Sequence, residues 1–218
     1  MKVFDALKHR IKSKMRFWLL GRRSNIFLYA GDVPTSGHYA KFIGLSLWQS
    51  NVSHIVHDIT ERIPLRDGCV DVFQAEDVLE HIEQEKVLPV IDEVYRVLKE
   101  GGVFRLSVPD YRCDVIDERT VKDRNGQILF DPGGGGEFVN GKVVGGGHLW
   151  FPTYEKVKEI LEASKFSDIK FYHYYDEAGN GILNPIDYGV SFVKRTPDHD
   201  KRVQKPYRPL SIVVDCQK

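Results

Sequence analysis

Acidic, phenolic and imidazole side chains stand directly behind several apolar segments of this chain, where a strand would deliver them to a shared edge. Asp32 follows NIFLYAG, Asp58 and Ile59 follow HIVH, and Glu76, Asp77, Glu80 and His81 follow VDVFQA. Asp110 and Tyr111 follow VFRLSVP, and His148 follows the run Gly145 to Gly147. These groups can take up or pass on a proton, and an unperturbed imidazole titrating near pH 6.5 suits His148 to general-base work. Asp110 and Tyr111 also carry groups that can bind or deprotonate a ligand. Several also have a structural alternative. Asp58 can cap the turn into Thr60 and Glu61, the Glu80-His81 pair can cap and pack its own turn, and His148 can be a hydrogen-bonded loop histidine.

Other chemistries lack their residues. Cys69, Cys113 and Cys216 are widely separated and form no CxxC pair, so no metal is expected and a reduced, cytoplasmic setting fits. The glycine tracts lack the GxxxxGK[ST] ending that holds a triphosphate, and no intact GxGxxG supports a dehydrogenase. Lys and Arg balance Asp and Glu at 31 each, and no nucleic-acid-binding motif is present, so no nucleic-acid partner is expected. No apolar run reaches the roughly 18 residues that span a bilayer, and no cleavage site follows an apolar amino-terminal stretch.

The basic character is local. Eight of the 31 Lys and Arg lie in the first 23 residues, against the single acid Asp5. Val3, Phe4, Leu7, Ile11, Met15 and Trp18 recur there at three- and four-residue intervals, which predicts a basic amphipathic helix over residues 1–24 that stops near Gly21. Its apolar stripe could dock on the core or on a second subunit, giving a homodimer. Residues 2–20 could instead make a peripheral contact with an anionic membrane or a protein partner.

Residues 25–218 then alternate strands and helices. Asn25 to Ala30, Phe42 to Leu47, Ser53 to Val56, Val70 to Ala75 and Val103 to Val108 read as five buried strands. Gly31 to Lys41 is too brief for a crossover helix and should hold one turn at most. Glu85 to Lys99 should form the long helix, with Pro89 tolerated in its first turns. Residues 112–150 are glycine-rich and lack periodicity, as a lid, a binding loop or disorder would. Thr153 should cap a helix over Tyr154 to Ser164, and Ile169 to Tyr175 and Leu210 to Val214 should close the sheet.

Several of these segments carry wording that resembles class I S-adenosylmethionine-dependent methyltransferases, of the methyltransferase type 11-like kind. The residues are Asp58 with Pro64, Val70-Asp71-Val72-Phe73, Leu79-Glu80-His81 and Arg96-Val97-Leu98-Lys99-Glu100-Gly101-Gly102, where only the proline of RVLKPGG is replaced. The resemblance covers nearly everything after residue 24. It implies an α/β Rossmann-like sandwich with a mostly parallel seven-stranded sheet, an antiparallel edge and the glycine-rich insertion. The closing SIVVDCQK is similar to the end of a polysaccharide-cluster subgroup, which implies a small-molecule, sugar or glycan acceptor.

The same resemblance implies a cofactor, S-adenosylmethionine, and places its contacts. Asp58, with Ile59, stands where the family binds the adenine amine, Gly31 and Asp32 lie in the first loop, and Glu76 lies near the methyl-transfer position. His148 resembles the histidine that the family places after its variable insertion. Two positions depart from the pattern. Aligned with hxhGxGxxxxxG, Tyr29 falls on the first glycine and Gly31 on the second, unless Tyr29 is a core residue and the register is shifted. Ser46 replaces the acid that accepts both ribose hydroxyls, and Asp32 could compensate. Tyr29 and Ser46 therefore leave a second reading open, a catalytically silent methyltransferase fold that serves as a binding module.

Overall fold

The apolar segments that alternate through the sequence pair into one sheet in the computed structural model, which describes residues 12–218. Strands β1 (Phe27–Ala30), β2 (Ile43–Ser46), β3 (His54–Val56), β4 (Val70–Glu76) and β5 (Leu98–Pro109) are mutually parallel. Labelling the short insertion strands β6 (Val121–Lys122), β7 (Ile128–Phe130), β8 (Glu137–Val139) and β9 (Lys142–Val144) leaves β10 (Asp168–Tyr175), β11 (Gly181–Leu183) and β12 (Ser211–Gln217) for the far edge. The order is β11-β10-β12-β5-β4-β1-β2-β3, with β12 antiparallel to both its neighbours. The sheet has eight strands rather than the seven expected. The extra one is β11, three residues that pair antiparallel with the end of β10.

Three helices cover one face of the sheet. The described part of α1 (12–20) contributes Phe17 and Leu20, and α2 (Gln84–Val97) contributes Val87, Val90, Ile91, Val94 and Val97, spaced to form one stripe. Past the four-residue α3 (Asp114–Asp117), α4 (Tyr154–Glu162) adds Val157 and Leu161. Residues 1–11 of the expected amphipathic helix lie outside the described residues. In the part described, the buried face differs from the expected one: Met15 and Trp18 are 58% and 60% exposed, while Phe17 and Leu20 carry the contact. Arg16 also donates to the carbonyls of Val52 and His54, which ties α1 to the β2–β3 edge.

No helix among the described residues covers the opposite face, and the strands show why. Gln74 and Glu76 of β4, Arg105 and Ser107 of β5, and Asp215 of β12 alternate with the apolar face, so the second face is polar and yet buried. A helix has already used its own backbone groups, whereas an irregular segment needs partners for them. The segment after β11 supplies that match. Arg105 forks onto Asp215 at 2.6 and 2.7 Å and donates to the carbonyls of Asp187 and Ser191. Gln74 donates to Phe192 O, and Glu76 accepts from Lys194 N at 2.7 Å.

The crossover from β1 to β2 contains one 3-10 turn, Gly37–Tyr39, in keeping with its length. The β4-to-β5 crossover holds a 3-10 turn, Leu79–His81, followed by α2. Residues 112–150 are more ordered in outline than the sequence suggested. They carry two antiparallel hairpins, β6–β7 and β8–β9, and the second turns on Asn140 and Gly141, both at positive φ.

Candidate active site

Strand order reverses at β1, which has β2 on one side and β4 on the other, and α/β sheets bind ligands outside the carboxyl ends of their strands at such a point. Chain leaves β1 at Gly31, whose φ of 81° permits the sharp turn and whose amide donates to Leu45 O. Val33 N donates to His54 Nε2 at 2.9 Å, and Asn51 Oδ1 holds the other ring nitrogen. Under this loop lies Gly44, where a Cβ would stand 2.6 Å from the His54 ring and 2.7 Å from Gly31 O. His54 and Gly44 thus fix the first loop, a role that no local sequence signal marked.

A pocket of about 140 Å³ opens beside that turn, lined by Gly31, Leu45, Leu47, Asp58, Ile59 and Val78, and by His57, His81 and Ile82. Aliphatic walls with one carboxylate suit a flat heterocycle that carries an amine. Asp58 Oδ1 accepts from the amide and hydroxyl of Thr60, so the turn-capping alternative is realised. Its Oδ2 has no hydrogen bond among the described residues and leaves an acceptor at the pocket.

Of the expected cofactor contacts, the structure brings Gly31, Asp58 and Ile59 together and sets the others apart. Tyr29 lies within β1 with its ring packed edge-on against Tyr39 and Phe42, so it belongs to an aromatic cluster on the second face and does not line the pocket. Gly31, not Tyr29, occupies the turn. Ser46 is buried, and its hydroxyl oxygen accepts from the amides of Trp48 and Gln49. Asp32 is held by Gln49 at 2.8 Å. Glu76 turns away from the pocket, because Tyr39 and the Lys194 amide occupy its oxygens while burial raises its pKa.

The expected proton-handling residues form a second constellation behind His81. His148 is buried, with Nδ1 against the Tyr111 hydroxyl and 3.5 Å from Asp131, and Tyr111 donates to Asp131 at 2.6 Å. Burial pushes the Tyr111 phenol up, with Asp131 adding to it. Burial would also raise Asp131, but hydrogen bonds from His148, Arg119 and Tyr111 hold it far below the usual carboxylate range. His148 Nε2 faces Glu80 at 3.7 Å. The insertion is tied down here, since Leu149 N donates to Glu80 O and Trp150 Nε1 to Leu79 O. Asp110 stands apart from this group. Its oxygens accept from the amides of Arg112 and Tyr175, and burial pushes its pKa up to about 6, so both are spent on the chain turn after β5 rather than on an acceptor. Asp131 and Arg119 were not foreseen from the sequence.

The sheet order and the loop geometry define the class I S-adenosylmethionine-dependent methyltransferase fold. Similar solved structures include a SAM-dependent methyltransferase from Archaeoglobus fulgidus at TM-score 0.52 and 15% identity, covering 95% of this chain and 93% of that one. Another is a SAM-dependent methyltransferase from Thermotoga maritima at 0.52 and 14%, covering 97% and 91%. A third, from Clostridium acetobutylicum, scores 0.51 at 11% and covers 99% and 98%. Residues 37–106, from the first 3-10 turn into β5, match the family described as methyltransferase domain. No curated protein matches the chain. Fold and domain match together support S-adenosylmethionine as the cofactor.

Proposed function

We propose that the protein is an S-adenosylmethionine-dependent methyltransferase whose acceptor is a small molecule, a sugar or a glycan. The observation that carries the reading is the aliphatic slot at the switch point, with the Gly31 turn on one side and the unengaged oxygen of Asp58 on the other. Leu45, Leu47, Ile59 and Ile82 would sandwich the adenine, and Asp58 would accept from its amine. When bound, the cofactor supplies an electrophilic methyl group on a sulfonium. For transfer of that methyl group the chain's own task would be to align the acceptor with the cofactor and to remove the acceptor's proton. Tyr111 and Asp131 act as positioning residues for the His148 ring. A sugar or glycan acceptor is favoured by the likeness of the closing SIVVDCQK to the polysaccharide-cluster subgroup, and three buried, unpaired cysteines favour a reducing, cytoplasmic setting.

The test is isothermal titration of the folded protein with S-adenosylmethionine and S-adenosylhomocysteine, followed by an acceptor screen among nucleotide sugars and glycans. Micromolar binding is expected. No heat up to millimolar ligand would replace this reading with the silent binding module.

A second contact rests on α1. Exposed Met15, Trp18 and Leu19 lie beside exposed Lys12, Lys14 and Arg22, a composition suited to an anionic lipid surface. No described helix is long and apolar enough to cross a membrane. Equal sedimentation with anionic and neutral liposomes would remove the lipid contact.

A further inference from the structure

Glu80 is the most anomalous side chain among the described residues. It is fully buried at 0% exposure, and neither carboxylate oxygen has a hydrogen-bond partner. Burying a carboxylate without compensation is expensive, and such groups are paired with a counter-charge or coordinate a cation. Its acidic neighbours already have theirs, since Arg195 pairs with Asp77 and Arg119 with Asp131, each at 2.6 Å. A neutral Glu80 would still need an acceptor within about 2.6–3.2 Å for its proton. The His148 ring nitrogen stands at 3.7 Å, beyond a direct hydrogen bond.

Two histidines complete the picture. His81 Nδ1 lies 2.8 Å from Gly146 O, and a carbonyl can only accept, so the proton is on Nδ1 and the lone pair on Nε2. His148 repeats the pattern. Its Nδ1 faces the Tyr111 hydroxyl and Asp131, and Tyr111 has already committed its proton to Asp131, so Nδ1 donates and Nε2 carries the lone pair. One ligating atom from each of Glu80, His81 and His148 lies within 4.8 Å of the other two, and His148 Nε2 faces Glu80 Oε1 at 3.7 Å. Metal-bound histidines characteristically donate their other ring N–H to a carboxylate or a backbone carbonyl, and this cluster has one of each.

We infer that Glu80, His81 and His148 bind one divalent transition-metal cation. Two imidazoles and one carboxylate select zinc, cobalt, manganese or iron over the all-oxygen preference of magnesium and calcium. Three protein ligands leave coordination positions open, and His81 also lines the candidate cofactor pocket, which sets the cation site beside that pocket. The ligand for an open position is an acceptor hydroxyl oxygen, which the cation would hold in place; this last clause rests on the methyl-transfer reading. The cluster has no local signature, because His148 reaches the 3-10 turn Leu79–His81 only through the fold.

The experiment uses untagged full-length protein stripped with chelator, titrated with Co²⁺ and followed by its visible ligand-field bands, with Zn²⁺ as competitor. The expected result is one tight equivalent displaced by Zn²⁺. Glu80→Gln, which keeps the shape, and His148→Ala should each weaken Co²⁺ by at least about 100-fold, and Asp131→Asn by about 10- to 100-fold as an outer-shell partner. Circular dichroism melts verify that the variants are folded. Absence of a tight equivalent in the folded parent, or equal affinity in the parent and both ligand variants, would overturn the inference. Titration of S-adenosylhomocysteine into stripped and Co²⁺-loaded protein separates the two readings. Cofactor binding without metal sinks the cation alone, and metal binding without cofactor sinks the methyltransferase reading and leaves the cation site standing.

Discussion

Asp58 carries two roles on two oxygens, and one substitution separates them. Oδ1 holds the amide and hydroxyl of Thr60 at 2.9 and 2.8 Å, while Oδ2 is left for the ligand. In Asp58→Asn the amide oxygen must remain on Thr60 to keep both bonds, which places an NH₂ where Oδ2 was and sets a donor against the adenine amine. The loss is one charge-assisted hydrogen bond, about 1.5–3 kcal/mol, or roughly 10- to 100-fold in affinity. Because Asp58 is exposed, the lower end applies. Melting should hardly move for Asn, whereas Asp58→Ala also loses the cap, about 1 kcal/mol and 2–4 °C. Thr60→Val is the control, weakening the turn and sparing the ligand. Calorimetry with S-adenosylhomocysteine reads all three. Parent-like affinity in Asp58→Asn would refute the reasoning and leave Asp58 a turn cap.

Gly44→Ala would force a Cβ to within 2.6 Å of His54 and 2.7 Å of Gly31 O, so overpacking should cost about 1–3 kcal/mol and weaken S-adenosylhomocysteine together, while Gly37→Ala, with open space around it, changes neither. Urea titration and calorimetry check both. Burial pushes the His173 pKa down to about 4 from 6.5, so the native state binds its proton less readily than the unfolded chain does. That contribution is present above pH 6.5 and lost as pH falls toward 4, about 3 kcal/mol in all. The stability difference between parent and His173→Leu should therefore change by that amount between pH 7 and 4; a pH-independent difference in urea midpoints would exclude it. Asp215→Asn strands the fully buried Arg105 guanidinium and should cost about 3–5 kcal/mol, and Arg105→Met with Asp215→Leu should recover much of it in the same urea assay.

The elements that could be read were those whose burial or period is written locally. VDVFQA and VFRLSV are strands because apolar residues dominate a short run, and α2 is a helix because its valines and Ile91 recur on one stripe. The brevity of Gly31 to Lys41 limited its crossover to a turn. β11 escaped notice because Gly181–Leu183 has no pattern of its own and is a strand only through pairing with β10. The β8–β9 hairpin was marked by Asn140-Gly141, a turn dipeptide lost among the surrounding glycines. In α1 both sides carry apolar residues, and contact with the β2–β3 edge, not periodicity, selects Phe17 and Leu20 over Met15 and Trp18. The site divides in the same way. Gly31, Asp58 and Ile59 follow their strands directly, but Asp131, Arg119 and the Glu80 cluster exist only once the insertion folds back onto the 3-10 turn Leu79–His81.

Polar alternation on β4, β5 and β12 normally marks a sheet face open to water. Here Gln74, Glu76, Arg105, Ser107 and Asp215 are buried, and three of them hold backbone groups of the irregular cover, so the alternation encodes which kind of layer can pack there. That layer reaches the site. Lys194 N sits on Glu76, and the next residue, Arg195, pairs with Asp77, which takes φ 55° at the end of β4. A non-glycine residue in that region is strained, and it persists because neighbours on both sides hold it. The β4 end is therefore fixed from the second face by the cover and from the first by the insertion, through Trp150 on Leu79 O and Leu149 on Glu80 O. Glu80 and His81 stand between these two anchors, and this gives a 3-10 turn of three residues the rigidity that a binding site on ordinary loop backbone would lack.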